Sequence, residues 1–162
     1  MRKELRVVLP LILICLLVGT ILAANDTASH EITVTIPEYV NIEILNGDID
    51  VNFADFGQTV TAGPVGVKYR CNKSGNWALT VSATDFIGEA ATQSFSVSHL
   101  KWGLTSGSIT NSMPLTGEDA AQVATWNTPV NQTTEIYYLI NYPEEAFAGS
   151  YSTTVTYSIV AL

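Results

Sequence analysis

Val40-Asn41-Ile42-Glu43-Ile44-Leu45-Asn46-Gly47-Asp48-Ile49-Asp50-Val51-Asn52-Phe53 is the stretch that speaks most directly about fold. Two alternating runs flank Asn46-Gly47, and an Asn-Gly pair supplies the two positive φ angles of a type I′ turn, the strongest short-range hairpin signal. Counting outward opposes Leu45 to Asp48, Ile44 to Ile49, Ile42 to Val51 and Val40 to Phe53. Side chains alternate between faces, so these apolar pairs gather on one face. Asn41/Asn52 and Glu43/Asp50 gather on the other. A slip of one residue would turn every apolar side chain to water. A lone hairpin is marginal in water, so its apolar face calls for a second layer.

The remaining sequence supplies that layer. Ile32, Val34 and Ile36 alternate with Thr33 and Thr35, a half-buried strand pattern closed by Pro37. Asp55–Gly63 reads as a loop, and Pro64 opens a run in which Val65, Val67, Tyr69 and Cys71 share a face. The turn cluster Asn72-Lys73-Ser74-Gly75-Asn76 precedes a strand with Trp77, Leu79, Val81 and Ala83 on one side. Thr84–Thr92 reads as a loop, and Phe95, Val97 and His99 alternate with serines. Glu118-Asp119-Ala120-Ala121 and Glu144-Glu145-Ala146 are the two candidates for a helical turn. Val123–Trp126 is a short strand. Thr134–Ile140 carries apolar bulk on both faces, which predicts a central position. A final strand follows Gly149, with Tyr151, Val155, Tyr157 and Ile159 on one side. Many short alternating runs separated by turn signals predict an all-β fold, an antiparallel β-sandwich of Ig-like or jelly-roll-like kind.

Arg2, Lys3 and Arg6 precede an apolar run from Leu9 to Ala24, interrupted by Thr20. A basic head before a short apolar core is the pattern of a secretory signal, with cleavage expected near Ala24. A retained anchor is the alternative, since residues 7–24 approach the lower length of a membrane span. The expected domain is 25–162, about 140 residues, the size of one folding unit. The chain carries a net charge of −8, and three of its 7 basic residues sit in the leader. An acidic surface of this kind argues against nucleic acid and anionic lipid as partners. Without the leader, Cys71 is the one cysteine, expected as a buried thiol, and the domain must stand on its core.

Three segments resemble the WxL-domain family of bacterial cell-surface proteins. They are Asn76-Trp77-Ala78-Leu79 through Phe86, then Leu100 with Trp102-Gly103-Leu104, then Ala148-Gly149-Ser150-Tyr151 through Ile159. Tyr157-Ser158-Ile159 stands where that family carries a second Trp-x-Leu. The resemblance implies an exported β domain that attaches without covalent bonds to cell-wall polymer or joins surface assemblies.

The candidate functional residues are few. Trp77 shares a face with Leu79 and Val81 and is expected in the core. Trp102, in a glycine- and serine-rich region, and Trp126, at a strand end, are the candidates for a ligand or partner surface, since flat aromatic faces stack on sugar rings. Glu43, Asp48, Asp50 and Asp55 gather carboxylates around the predicted hairpin. Their repulsion across Glu43/Asp50 is relieved by water or by a calcium ion, although no calcium-loop motif is present. Asn72-Lys73-Ser74 and Asn131-Gln132-Thr133, with Asn25-Asp26-Thr27 in the leader region, fit the N-glycosylation pattern. His30 and His99 are the two histidines, and no catalytic motif accompanies them. No catalytic residue, metal or cofactor is assigned. The sequence leads to a secreted, non-catalytic cell-surface domain that binds cell-wall polymer or another surface protein. A carbohydrate-binding module is one alternative. The other is a filament subunit assembled by strand exchange through Ile32, Val34 and Ile36, against the plainer expectation that this strand docks in its own sandwich.

Overall fold

The computed structural model describes residues 27–90 and 92–162; the expected signal segment, its cleavage near Ala24 and the Asn25 sequon lie outside them. Eleven strands follow in order: β1 (Val40–Ile44), β2 (Thr59–Cys71), β3 (Trp77–Ala83), β4 (Phe86–Gly88), β5 (Ser94–Phe95), β6 (Leu100–Gly103), β7 (Asn111–Ser112), β8 (Ala121–Trp126), β9 (Val130–Asn141), β10 (Tyr151–Ser152) and β11 (Val155–Ala161). They form a five-stranded sheet in the order β1-β2-β9-β6-β7, a three-stranded sheet β11-β3-β8, and a small sheet β10-β4-β5. All these ladders are antiparallel. The protein is an all-β sandwich occupying Ile36–Leu162, with residues up to Thr35 in a separate unit.

The core lies between the two larger sheets. Val65, Val67 and Tyr69 of β2 and Ile136, Tyr138 and Ile140 of β9 form its widest wall, joined by Leu100 and Trp102 of β6. Leu79, Val81 and Ala83 of β3 face them. Two aromatic contacts cross the gap between sheets. Tyr69 stacks on Trp126 with ring centroids 5.2 Å apart. The Tyr138 and Tyr157 hydroxyls are hydrogen-bonded to each other. The small sheet closes one end through the stacked pair Phe86–Phe95, with Tyr151 against Phe95. As expected from its two apolar faces, β9 is central, held between β2 and β6.

The predicted hairpin does not form. β1 pairs with β2, placing Val40 opposite Cys71, Ile42 opposite Tyr69 and Ile44 opposite Val67, and the Leu45 N–H donates to the Gly66 carbonyl. Residues 47–54 carry no ladder. Val51 and Phe53 instead pack against the core, Phe53 edge-on to Tyr142 at 5.3 Å. The chain reverses later, at 55–58, where Gly57 takes a φ of +69° and Gln58 Oε1 accepts the Ala54 N–H. Charge favours the observed register. In the expected register Glu43 met Asp50; in the observed one it meets Lys68, with Nζ 3.8 Å from Oε2. Like charges directly opposite cost energy, and unlike charges do not.

Other expectations shift in smaller ways. β2 begins at Thr59, inside the expected loop, and Pro64 sits within it at a register break between Ala62 and Val65. Proline lacks an N–H for the ladder, and a bulge is where a strand tolerates it. Phe95, Val97 and His99 do not share a strand. β5 stops at Phe95, and Val97–His99 is a 3-10 turn in which the Ser96 side chain accepts the Ser98 N–H and Asp85 Oδ1 accepts the Val97 N–H. The Thr84–Thr92 loop contains β4. Neither helical candidate is a helix: Ala121 opens β8, and 144–146 is a turn closed by the Ala146 N–H on the Pro143 carbonyl. Glu31–Ile36 is assigned no strand.

Two sets of variants test this architecture. Gly47 has open space around its α-carbon and no positive φ, so Gly47→Val is expected to change stability by no more than about 0.5 kcal/mol. A Cβ on Gly103 would lie 2.2 Å from the Ser108 carbonyl oxygen, so Gly103→Ala is expected to cost on the order of 1–3 kcal/mol. Denaturant midpoints check both: an unchanged Gly47→Val midpoint fits the absence of the expected turn, and a lowered Gly103→Ala midpoint fits the close approach of Ser108. The tyrosine pair predicts an alkaline limit. Burial, then Tyr138, pushes the Tyr157 phenol above its ordinary range, and burial raises Tyr138. Below about pH 10 both states hold these protons; above it the unfolded chain releases them first, so stability falls as pH rises from there. Tyr157→Phe, which leaves the Tyr138 hydroxyl without its partner, is expected to cost about 1–3 kcal/mol at neutral pH and to flatten the alkaline decline.

Candidate interaction surface

The chain enters the sandwich through a fixed point. Asn72, in the turn after β2, holds the incoming backbone with both ends of its amide. Its Oδ1 accepts the Tyr39 N–H at 2.6 Å, and its Nδ2 donates to the Pro37 carbonyl at 2.8 Å. The Asn72 N–H completes the clamp on the Tyr39 carbonyl. Lys73 adds an ion pair with Glu38 at 3.1 Å. The candidate sequon residue Asn72 is thus a structural clamp, and a glycan on Nδ2 would compete for the space beside Pro37.

Upstream of the clamp, Ile32, Val34 and Ile36 are 75%, 75% and 77% exposed. Glu31–Ile36 carries no ladder among the described residues, so the strand expected there is not formed. Isolated exposed apolar residues need no explanation, but an alternating uncharged row has the sequence pattern of a half-buried strand.

The tryptophans fall in three different settings. Trp102 is 4% exposed on the inner face of β6 and offers no surface platform, which corrects its expected accessibility. It belongs to the core cluster, and Gly103 beside it lets the Ser108 backbone approach closely. Trp77 is half-buried at the start of β3 rather than in the core. Its Nε1 donates to the Ser74 carbonyl, and Lys73 Nζ lies 5.7 Å from its ring centroid. Trp126 is half-buried opposite Trp77, with its ring on Tyr69 and its Nε1 without a partner. It lines a cleft of about 360 Å³ with Tyr69, Thr128, Asn131 and Gln132, where Tyr69 donates to Gln132 Oε1. The exposed Asn131, the other candidate sequon residue, sits on the rim of that cleft. Sequence alternation alone did not bring Trp126, Tyr69 and Asn131 together; the pairing of β3 with β8 and of β2 with β9 did.

The carboxylates disperse. Glu43 belongs to its ion pair with Lys68, and among the described residues no three His, Cys, Asp or Glu side chains converge as a metal site would require. A second cleft, of about 480 Å³, is lined by Asp85, Ser96, Ser98 and Glu118, but Asp85 is already engaged in holding the Val97 amide. His99 packs edge-on to Phe95, and its Nε2 lies 2.9 Å from Glu145 Oε1. The Glu145 carboxyl is lowered first by its own backbone N–H and then by His99. Cys71 is buried and unpaired on β2.

Two rows of core-facing residues stay only partly covered. Val155, Tyr157 and Ile159 on β11 are half-buried, and on β1 Val40 and Ile44 are 45% and 46% exposed. The equivalent positions on the central strands, Val67, Leu79 and Val81, are fully buried. No family model matches the chain, and no curated protein is detectably similar to it.

The clamp is testable. Asn72→Ala removes the amide that ties 37–39 to the turn and is expected to cost roughly 0.5–2 kcal/mol. Hydrogen exchange is expected to accelerate at Tyr39 while the β2 and β9 amides keep their protection.

Proposed function

We propose that the protein is an exported, non-catalytic structural subunit that assembles at the cell surface by β-strand exchange, with Glu31–Ile36 entering a neighbouring copy. One observation carries this proposal: an alternating row of three apolar side chains, each about three-quarters exposed, immediately upstream of a clamped entry point. Main-chain bonds give such a strand affinity, and pockets for alternate side chains give it specificity.

Magnitudes favour a segment that orders only when it joins a sheet. Ordering the backbone of six residues costs on the order of 1–2 kcal/mol each. Fully burying Ile32, Val34 and Ile36 returns roughly 1.5–3 kcal/mol each. The two sums nearly cancel, so the ladder of hydrogen bonds, at about 0.5–1.5 kcal/mol apiece, decides the outcome. A segment that needs a ladder to order is suited to joining subunits.

A second proposal rests on the Trp126 cleft. An aromatic floor bordered by Thr128, Asn131 and Gln132 suits a sugar ring of a cell-wall polymer, and oligosaccharide-dependent tryptophan fluorescence that disappears in Trp126→Ala tests it.

Val34→Asp tests the leading proposal. Val34 is exposed, so the variant is expected to keep its unfolding free energy within about 0.5 kcal/mol. Light scattering and electron microscopy of the exported protein are expected to show polymers from the parent chain and monomers from the variant. A parent chain that stays monomeric at high concentration and is absent from native filaments would refute it.

A further inference from the structure

β11 is unusual among the free edges of this sandwich. Natural sheets guard their edges with charges, prolines, bulges or brevity, because an open row of N–H and C=O groups recruits foreign strands. The other edges here follow that rule. β5, β7 and β10 are two residues long. β8 carries a register break where Leu79 gives way to Thr80 on its partner. β1 carries Glu43. β11 carries none of these devices in its own sequence, although β1 passes close to it. Its sequence, Val155-Thr156-Tyr157-Ser158-Ile159-Val160-Ala161, holds no charge and no proline, and it pairs with β3 through seven consecutive residues without a shift. Its other side is the end of the sheet.

We infer that the free edge of β11 is the acceptor site for Glu31–Ile36 of a second copy of this chain. This inference rests on the strand-exchange proposal and adds where the strand goes. Donor and acceptor match in pattern. Ile32, Val34 and Ile36 extend the inward row of Val155, Tyr157 and Ile159, the row left half-covered at this rim. Thr33 and Thr35 extend the outward row of Thr156 and Ser158, so both rows continue in kind. They match in charge as well: from Ile32 to Ile36 the donor carries none, whereas docking on β1 would bring Glu31 to a strand that already holds Glu43. The length fits too, since the seven residues of β11 seat a six-residue strand.

Cysteine pairs on the outward row test the inference without touching the core. Full-length chains carrying Thr33→Cys or Thr35→Cys are co-expressed with chains carrying Thr156→Cys or Ser158→Cys, and separately with chains carrying Asn41→Cys or Glu43→Cys on β1. Cys71 is 2% exposed and does not compete, and Cys15 is replaced by serine in every chain. Directly opposite residues on paired strands have Cβ atoms about 4.5–5.5 Å apart, within reach of a disulfide. The expected result is a disulfide heterodimer with a β11 cysteine, lost on reduction, and none with β1. Polymers that cross-link through β1, or that form without any β11 cross-link, would overturn the acceptor assignment while leaving strand exchange in place. A cross-link confined to a single chain in Thr35→Cys/Ser158→Cys, with no polymer, would show the segment docking on its own β11 and overturn both.

Discussion

The fold depends on one long ladder. β2 and β9 pair over most of their length, from Thr59 opposite Asn141 to Cys71 opposite Val130, broken once at the Gly63-Pro64 bulge. This pair carries Tyr69, Ile136 and Val67, three of the largest fully buried side chains, and the rest of the larger sheet builds out from its two sides. β1 adds to β2, and β6 adds to β9. The second sheet packs onto the wall that the ladder presents, and the crossing contacts Tyr69–Trp126 and Tyr138–Tyr157 originate from it. Because no disulfide cross-links the described residues, this packed ladder is what resists unfolding.

A sandwich built outward from such a pair is finished at its centre and unfinished at its margins. Inward residues of β2, β3 and β9 are sealed, while those of β1 and β11 keep part of their surface. The same chain carries an exposed row of complementary periodicity upstream of the Asn72 clamp. Free edges elsewhere are short, bulged or charged. The proposals for strand exchange and for its acceptor draw on this asymmetry between guarded and unguarded edges.

Aromatic residues played different parts from those their sequence neighbours suggested. Trp102 sits among glycine and serine, yet it packs into the core between the sheets. Trp77 sits in an apolar row, yet it lies at the end of its strand and is only half-buried. Composition near a residue describes the local chain, whereas burial depends on what arrives from elsewhere.

The sequence by itself determined the all-β class, the central place of β9, the strand from Trp77 to Ala83 and the buried thiol on β2. Each of these follows from alternation within one short segment, which the chain carries locally. Only the tertiary structure decided which strand meets which. Val40–Ile44 carried a sound turn signal at Asn46-Gly47, but a longer partner with Lys68 opposite Glu43 won, since pairing is a competition among all strands and not a property of one. The Trp126 cleft, the Asn72 clamp and the unguarded edge of β11 join residues dozens of positions apart. Their geometry comes from ladder order and register, which no single stretch of sequence encodes.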